Sequence, residues 1–303
     1  MLTPLSHQAE EALPTDSPDR TEVVWIPKPT TQTTGQAIEV DEAILEKADC
    51  AHRIIEGIPC PIAFGTYKSD PHKHFYLAEF MEMTAGLPDI RAFSAMLAKL
   101  HHDSMVDPKA PREFGYDFMT HEGSMYQDIK WRKTWEELYS QRFQSFVDQE
   151  LASQGPSEEV ERLVLGLKEK VIPRLLRPLN THRRKLRPVA LHGDIWCGNI
   201  ATNAVTGEPV YFDPAVFWGH NEYDVGSMAT PRYKLGREWM QEYHKFFPIS
   251  APECDYEDRN VLYAISGHLC ASALYPEKSD FRKMAVVDMQ RLLDKYPDGY
   301  QGE

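Results

Sequence analysis

The chain has 303 residues, 42% hydrophobic and 26% charged, with 33 basic against 46 acidic side chains and a net charge of −13. These fractions are those of globular proteins and exclude a disordered, collagen-like or coiled-coil chain, while the length predicts two domains or two lobes. The acidic excess excludes non-specific nucleic-acid binding, which needs clustered Lys and Arg against phosphates, and no run of about 20 apolar residues is present to cross a membrane.

Residues 1–20 are acidic and Pro-containing and predict a flexible tail, with neither the apolar core of a secretory signal nor an Arg-rich presequence. The five cysteines are scattered without a C-x-x-C pair, which predicts reduced thiols in a soluble, cytoplasmic protein. Residues 22–26 and 37–40 predict short strands around a turn-rich PKPTTQTTGQ. Ile44, Leu45, Ala48, Ala51 and Ile55 then give residues 41–56 a helical apolar stripe. Strands are predicted at 61–67 and 74–83, joined by the polar KSDPHK. Gly86-Leu-Pro-Asp89 interrupts the chain, and Asp89 is placed to cap a helix reaching about His102.

Beyond this point the pattern is mostly helical. Helices are predicted at 131–154 and 157–176, the second capped by Ser157 with Glu158, Glu159 and Glu161 near its start. Short strands are predicted at 188–191 and 209–212, and further helices at 234–247, 256–274 and 278–295. The expected fold class is α+β: a nucleotide lobe over 21–85 and a helical catalytic and substrate lobe over 86–303, with a ligand cleft between them.

The chemistry concentrates in Leu191-His192-Gly193-Asp194-Ile195-Trp196-Cys197-Gly198-Asn199 and in the later Val210-Tyr211-Phe212-Asp213-Pro214. Two carboxylates and an amide fall on short loops at strand ends. Phosphoryl transfer uses this set: Asp194 beside the attacking hydroxyl, with Asn199 and Asp213 holding Mg²⁺ against nucleotide phosphates. His192 reads as a structural histidine, because one base suffices. Taken alone, Trp196 and Trp218 read as buried aromatics, the 182–185 basic run as a solvated loop, and His101-His102 as no metal site.

These segments resemble the aminoglycoside-phosphotransferase-like kinases, and more closely the fructosamine or ketosamine 3-kinases, also called protein-ribulosamine 3-kinases. The family loop HGD-[LI]-W-x-GN is matched by His192 to Asn199, and F-D-P-A-x-x-Y-G-H-x-E by Phe212 to Glu222, with Trp218 for Tyr. Phe114-Gly-Tyr116, Thr120, Gly123, Gln127, Trp131 and Trp135 follow the family's spaced run, with Ile129 where it carries Asn. Leu97-Ala-Lys-Leu-His101 resembles a helix end of the wider superfamily, so the likeness covers about 61–296.

The resemblance implies a protein-kinase-like two-lobed fold and ATP-dependent, Mg²⁺-dependent phosphorylation of the sugar 3-hydroxyl of ketosamines, on glycated proteins or as small molecules. The phosphorylated adduct is unstable, so the implied role is deglycation. In these terms Trp196 stacks on the sugar, His220 and Glu222 flank the acceptor, and backbone groups of Glu79, Phe80 and Met81 meet adenine. The start of the chain departs from the pattern: no glycine precedes Gly35, so no Gly-rich phosphate loop is legible. Lys28 precedes Glu42 by a separation that suits a Lys–Glu pair and is the candidate phosphate lysine, but Pro27 and Pro29 are disfavoured inside a central strand. Two alternatives stay open: a binding module with impaired ATP binding, and a kinase of another small hydroxyl acceptor. The oligomeric state is not legible.

Overall fold

A computed structural model describes residues 58–59, 61–67, 70–278 and 280–302. The tail at 1–20, the elements expected at 22–26, 37–40 and 41–56, and Lys28 lie outside the described residues. The chain divides into two compact units between Glu82 and Met83.

In the first unit, β1 (Pro61–Tyr67) and β2 (Asp70–Ala78) form an antiparallel pair, with Phe64 opposite Tyr76 and an irregularity at Thr66/Tyr67. The second strand was expected to reach residue 83, but it ends at Ala78. Ala78 lies opposite Pro61, where β1 begins, so the ladder has no partner beyond it. Glu79, Phe80 and Met81 therefore belong to no strand.

The second unit begins with β3 (Met83–Thr84), followed by helix α1 (Ile90–Val106). Asp89 caps α1 by accepting from the Ala92 amide at 2.8 Å, and the helix runs four residues past the expected end. A hairpin of β4 (Thr120–Glu122) and β5 (Met125–Gln127) turns through Gly123, whose φ is +59°. Helix α2 (Trp135–Gln154) starts later than residue 131 because Thr134 and Glu137 form a capping box and Arg132 is bridged to Phe114. Helix α3 (Glu158–Gly166) is capped by Ser157 and continues through a wider π turn (Leu167–Val171) into α4 (Ile172–Leu176). Pro173 has no N–H for the regular ladder, and the wider turn absorbs that loss without ending the helix.

Two small antiparallel sheets follow. β6 (Val189–Leu191) pairs with β9 (Phe217–Gly219), while β7 (Ile200–Asn203) lies between β3 and β8 (Pro209–Tyr211). Then come α5 (Glu222–Gly226), α6 (Arg237–Tyr243), α7 (Tyr256–Leu274) and α8 (Asp280–Lys295). The helix expected at 234–247 shrinks to α6 because Lys234 and Gly236 both take positive φ, which stops it growing backwards.

Packing centres on Trp135, fully buried, whose indole N–H donates to the Tyr263 hydroxyl at 2.9 Å. Rings of Phe114, Tyr139, Phe217, Tyr223 and Tyr263 surround it at centroid distances of 5.9–6.4 Å. Edge and offset contacts of this kind add to the burial of large apolar rings. The helix α7, buried on most of its faces, packs against both α2 and α8. Together with β6 and β9, this core anchors the loop that follows Leu191.

Candidate active site

The loop after β6 is shaped by one glycine and one buried carboxylate. Gly193 has φ +84°, and a Cβ there would collide with the carbonyl oxygen of Ala215. Only glycine allows this approach, in which the Ala215 amide donates to the His192 carbonyl at 2.8 Å. Asp224, on α5, accepts from the backbone N–H groups of His192 and Gly193, each at 2.8 Å. Its Oδ2 also meets His101 Nε2 at 3.0 Å, and His101 Nδ1 hydrogen-bonds the Tyr243 hydroxyl at 2.7 Å.

His192 is wholly buried and structural. Its Nδ1 accepts from the Asp194 amide at 3.3 Å, which leaves Nε2 to donate to the Phe212 carbonyl at 3.0 Å. Burial lowers its pKa, in keeping with this neutral form. The loop thus presents Asp194, which is partly buried. Asn199 Nδ2 donates to the Asp194 carbonyl at 3.0 Å and to its Oδ2 at 2.9 Å. Desolvation, then the charges of Glu122 and Asp213, push the Asp194 carboxyl up to about 7, against the Asn199 hydrogen bond and Arg232.

Pairing of β7 with β8 brings the remaining members together. Asn199 immediately precedes β7, Phe212 follows β8, and the Phe212 amide donates to the Asn199 carbonyl at 3.0 Å. Asp213 comes next, exposed and with φ +56°, a left-handed conformation that Asp tolerates better than most residues. Among the described residues no three His, Cys, Asp or Glu side chains are gathered to hold a metal ion. A Mg²⁺ ion fits a different set: the Asp213 carboxylate, Asn199 Oδ1, left over once Nδ2 has bonded Asp194, and phosphate oxygens from a nucleotide.

Trp196, read from the sequence alone as buried, is 38% exposed, with its ring lying over Gly198. Trp218 is buried. Phe80 is exposed and Met81 partly so.

His220 and Glu222, which the resemblance assigns to the flanks of the acceptor pocket, lie in the interior of the helical unit. Both are fully buried. His220 hydrogen-bonds the Tyr263 hydroxyl and Ser250 Oγ, each at 2.9 Å. Glu222 takes two bonds from Arg259, at 2.7 and 3.1 Å, and one from the Ser250 amide at 2.7 Å. All their polar atoms are committed inside the helical unit, which makes them supports of the core. Burial drives His220 from its ordinary 6.5 down to about 4, although Glu222 acts the other way.

A group that resists protonation in the fold but accepts it when unfolded costs stability as pH falls. The stability held by neutral His220 is complete above pH 6.5 and is lost as pH falls towards 4, by up to about 3 kcal/mol. His192 and His244, also lowered by burial, share that sign. Asp194 has the opposite sign, so the clean measurement is thermal melting of Asp194→Asn. Its Tm should fall by about 5 °C or more between pH 7.5 and 5, and a flat profile would refute the assignment.

Asp224, His101 and Glu122 were not picked out by sequence reading. His101 stood at the end of the L-A-x-L-H stretch, which was the available signal. Nothing near Asp224 or Glu122 in the chain hints at a shared site. A small pocket, with room for about one water molecule, abuts Asp194 and is lined by Glu122, Gly193, Tyr223, Asp224, Tyr233 and Gly267.

Comparison with known proteins gives a consistent result. The fructosamine kinase family model matches residues 38–295. A chloroplastic protein-ribulosamine 3-kinase of Oryza sativa subsp. japonica is 26% identical over 76% of this chain and 62% of its own length. Ketosamine-3-kinase of Mus musculus is 34% identical over 52% of this chain and 47% of its own. The chain thus spans about half to three-fifths of the length of these curated relatives. A putative fructosamine-3-kinase from Thermobifida fusca matches in structure with a TM-score of 0.62 and 18% identity, over 85% of this chain and 82% of that one. An aminoglycoside phosphotransferase matches with a TM-score of 0.54 and 11% identity, over 83% of each chain. The fold is that of the protein-kinase-like phosphotransferases, and among the described residues no helix is long and apolar enough to cross a membrane.

Proposed function

This chain belongs to the fructosamine kinase family, and on that premise we propose that it transfers the γ-phosphoryl group of ATP to the 3-hydroxyl of a ketosamine. The observation that carries this reading is the assembly of Asp194, Asn199 and Asp213 on loops at the ends of β6, β7 and β8. Asp194 accepts the hydroxyl proton as the new O3–P bond forms and the bond from Pγ to the departing ADP breaks. Its raised pKa, near neutral, suits a proton acceptor that must work at physiological pH. Asn199 holds Asp194 in orientation through Nδ2 and offers Oδ1, with Asp213, to Mg²⁺. When bound, that ion supplies neutralisation of phosphate charge.

The exposed Trp196 ring provides a stacking face for the sugar. Backbone groups of Glu79, Phe80 and Met81 are assigned to adenine, and Lys28 to the phosphates. Ketosamines on lysine, whether free or in glycated proteins, are the substrate class. A phosphorylated ketosamine is less stable than its parent and breaks down, so the reaction serves deglycation.

The test is Mg-ATP-dependent phosphorylation of a ribulosyl-lysine peptide, read by mass spectrometry. Transfer that requires both ATP and Mg²⁺ is the expected result. Folded protein that transfers nothing at saturating ATP and acceptor would overturn the reading in favour of a binding module. Transfer to aminoglycosides or amino alcohols in its place would reassign the acceptor.

A further inference from the structure

Beside the catalytic loop stands a cation that the transfer chemistry does not use. Arg232 lies half-buried on the short turn Pro231–Tyr233. Its Nη2 donates to the Gly267 carbonyl at 2.6 Å and to the Tyr233 hydroxyl at 2.8 Å, and both residues line the small pocket at Asp194. Gly267 makes room for this approach: a Cβ there would stand 2.8 Å from Nη2 and 2.6 Å from the Tyr233 hydroxyl. The guanidinium lies 4.4 Å from the Tyr233 ring and 5.6 Å from that of Phe281. The turn is fastened to the loop itself, because the Cys197 amide donates to the Tyr233 carbonyl at 3.3 Å. Arg142, Arg174, Arg259 and Arg282, buried or half-buried like Arg232, each pair with a carboxylate. Arg232 forms no ion pair among the described residues, and its Nε is buried without a hydrogen-bond partner.

A half-desolvated guanidinium without an anion is costly, and a chain with 46 acidic side chains had partners to offer it. An anion carried in by a ligand supplies the missing charge. The surrounding elements indicate which ligand. Through Gly267 and Phe281, Arg232 rests on α7 and the first turn of α8, whereas Asn199 and Asp213, assigned to Mg²⁺ and the nucleotide, flank β7 and β8. Around Arg232 the surface stays aromatic and basic: the Phe281 ring lies 6.2 Å from that of Tyr275, and Lys278 Nζ lies 4.7 Å from the Tyr275 ring. Such a face suits an acceptor with an apolar arm that ends in an anion. The ketosamine of a free amino acid has that form, because beyond its sugar and amine it carries a carboxylate. In a lysine inside a protein chain the same carbon is a neutral peptide carbonyl.

We propose that Arg232 binds the carboxylate of the acceptor's amino acid and so selects ketosamines of free amino acids over lysine adducts inside a protein chain. This rests on the ketosamine kinase reading above and names the members of that substrate class which the site prefers.

Steady-state kinetics of wild type and Arg232→Gln on free ribulosyl-lysine and on its carboxamide test this, since the two acceptors differ only in the anion. Wild type should prefer the carboxylate by about tenfold or more in kcat/KM, mainly through KM, as expected of a charge-assisted hydrogen bond. Arg232→Gln should bring that ratio close to one by losing activity on the carboxylate form alone. A wild-type ratio near one, or a ratio that Arg232→Gln leaves unchanged, would overturn the proposal. So would an equal loss on both acceptors, which is the result if Arg232 only supports the fold or meets the transferred phosphoryl group. If Arg232→Gln does not fold, Arg232→Lys keeps the charge without the planar fork; it should lower the ratio, and an unchanged ratio would again overturn the proposal. If wild type transfers phosphate to neither acceptor, the kinase reading fails, and calorimetric binding of the two compounds then decides on Arg232. Tighter binding of the carboxylate form that the variant loses would uphold its role, whereas equal affinity or no binding would overturn it.

Discussion

Asp194→Asn should lower phosphoryl transfer by about 100- to 10,000-fold, the usual contribution of a positioned base, while leaving a fold at least as stable as wild type. Asparagine keeps the size of the side chain and an oxygen for Asn199, but it cannot accept a proton. The stability result follows from the sign of the pKa shift. Desolvation, Glu122 and Asp213 raise the Asp194 carboxyl from 3.8 to about 7. Between those values the unfolded chain is ionised there and the folded one protonated, so the carboxyl costs stability increasingly as pH rises, and fully above pH 7. Three pKa units correspond to a ceiling of about 4 kcal/mol in the metal-free protein. Melting at pH 7.5 without Mg²⁺ should therefore give Asp194→Asn a Tm equal to or above wild type, alongside the loss of turnover. A variant that keeps turnover would remove Asp194 from the role of base. One that melts well below wild type would show that the carboxylate supports the loop.

Asp224→Ala should lose both stability and activity, because Asp224 holds the backbone of the loop that carries Asp194. Its two oxygens hold the backbone N–H groups of His192 and Gly193 together with His101 Nε2, all inside the protein. Alanine strands three buried polar groups, and each unsatisfied group costs about 1–3 kcal/mol. A loss of about 3 kcal/mol or more follows, or about 10 °C in Tm for a domain of this size. Turnover should fall further than Tm explains, because Gly193 leads directly into Asp194. Differential scanning calorimetry and kinetics at 20 °C, well below the melt, separate the two effects. Wild-type kcat in the folded variant would show that the loop holds its shape without this carboxylate.

Local signals placed many of the elements. The helix α7, Tyr256–Leu274, has the expected bounds, because Val261, Leu262, Ile265 and Leu269 repeat with helical spacing. Asp89 and Ser157 cap the helices expected of them, since capping depends only on residues three apart in the chain. The β1 strand also has its expected bounds. Errors arose where a distant partner decides. The β2 strand stops where β1 offers nothing more to pair with, and α2 starts late because Arg132 bridges to Phe114 and Thr134 caps the helix. The strands β4, β5, β7 and β9 are three or four residues long, too short to show a period.

The motif that carries the chemistry was legible in the chain: His192-Gly193-Asp194, Asn199 and Asp213 stand close in sequence, on loops whose flanking strands announce themselves as apolar runs. The matching family follows from the same segments. What those residues rest on was not legible. Asp224 reaches back to residues 192 and 193, His101 reaches forward to Asp224, and Glu122 comes to Asp194 from β4. The family resemblance implies that His220 and Glu222 flank the acceptor pocket, while Arg259 and Tyr263, on α7, hold both side chains in the core. Sequence spacing reports residues that act through their own loop. Burial, ion pairing and shared pockets are set by which helices pack together, and that is decided only when the tertiary fold closes around Trp135.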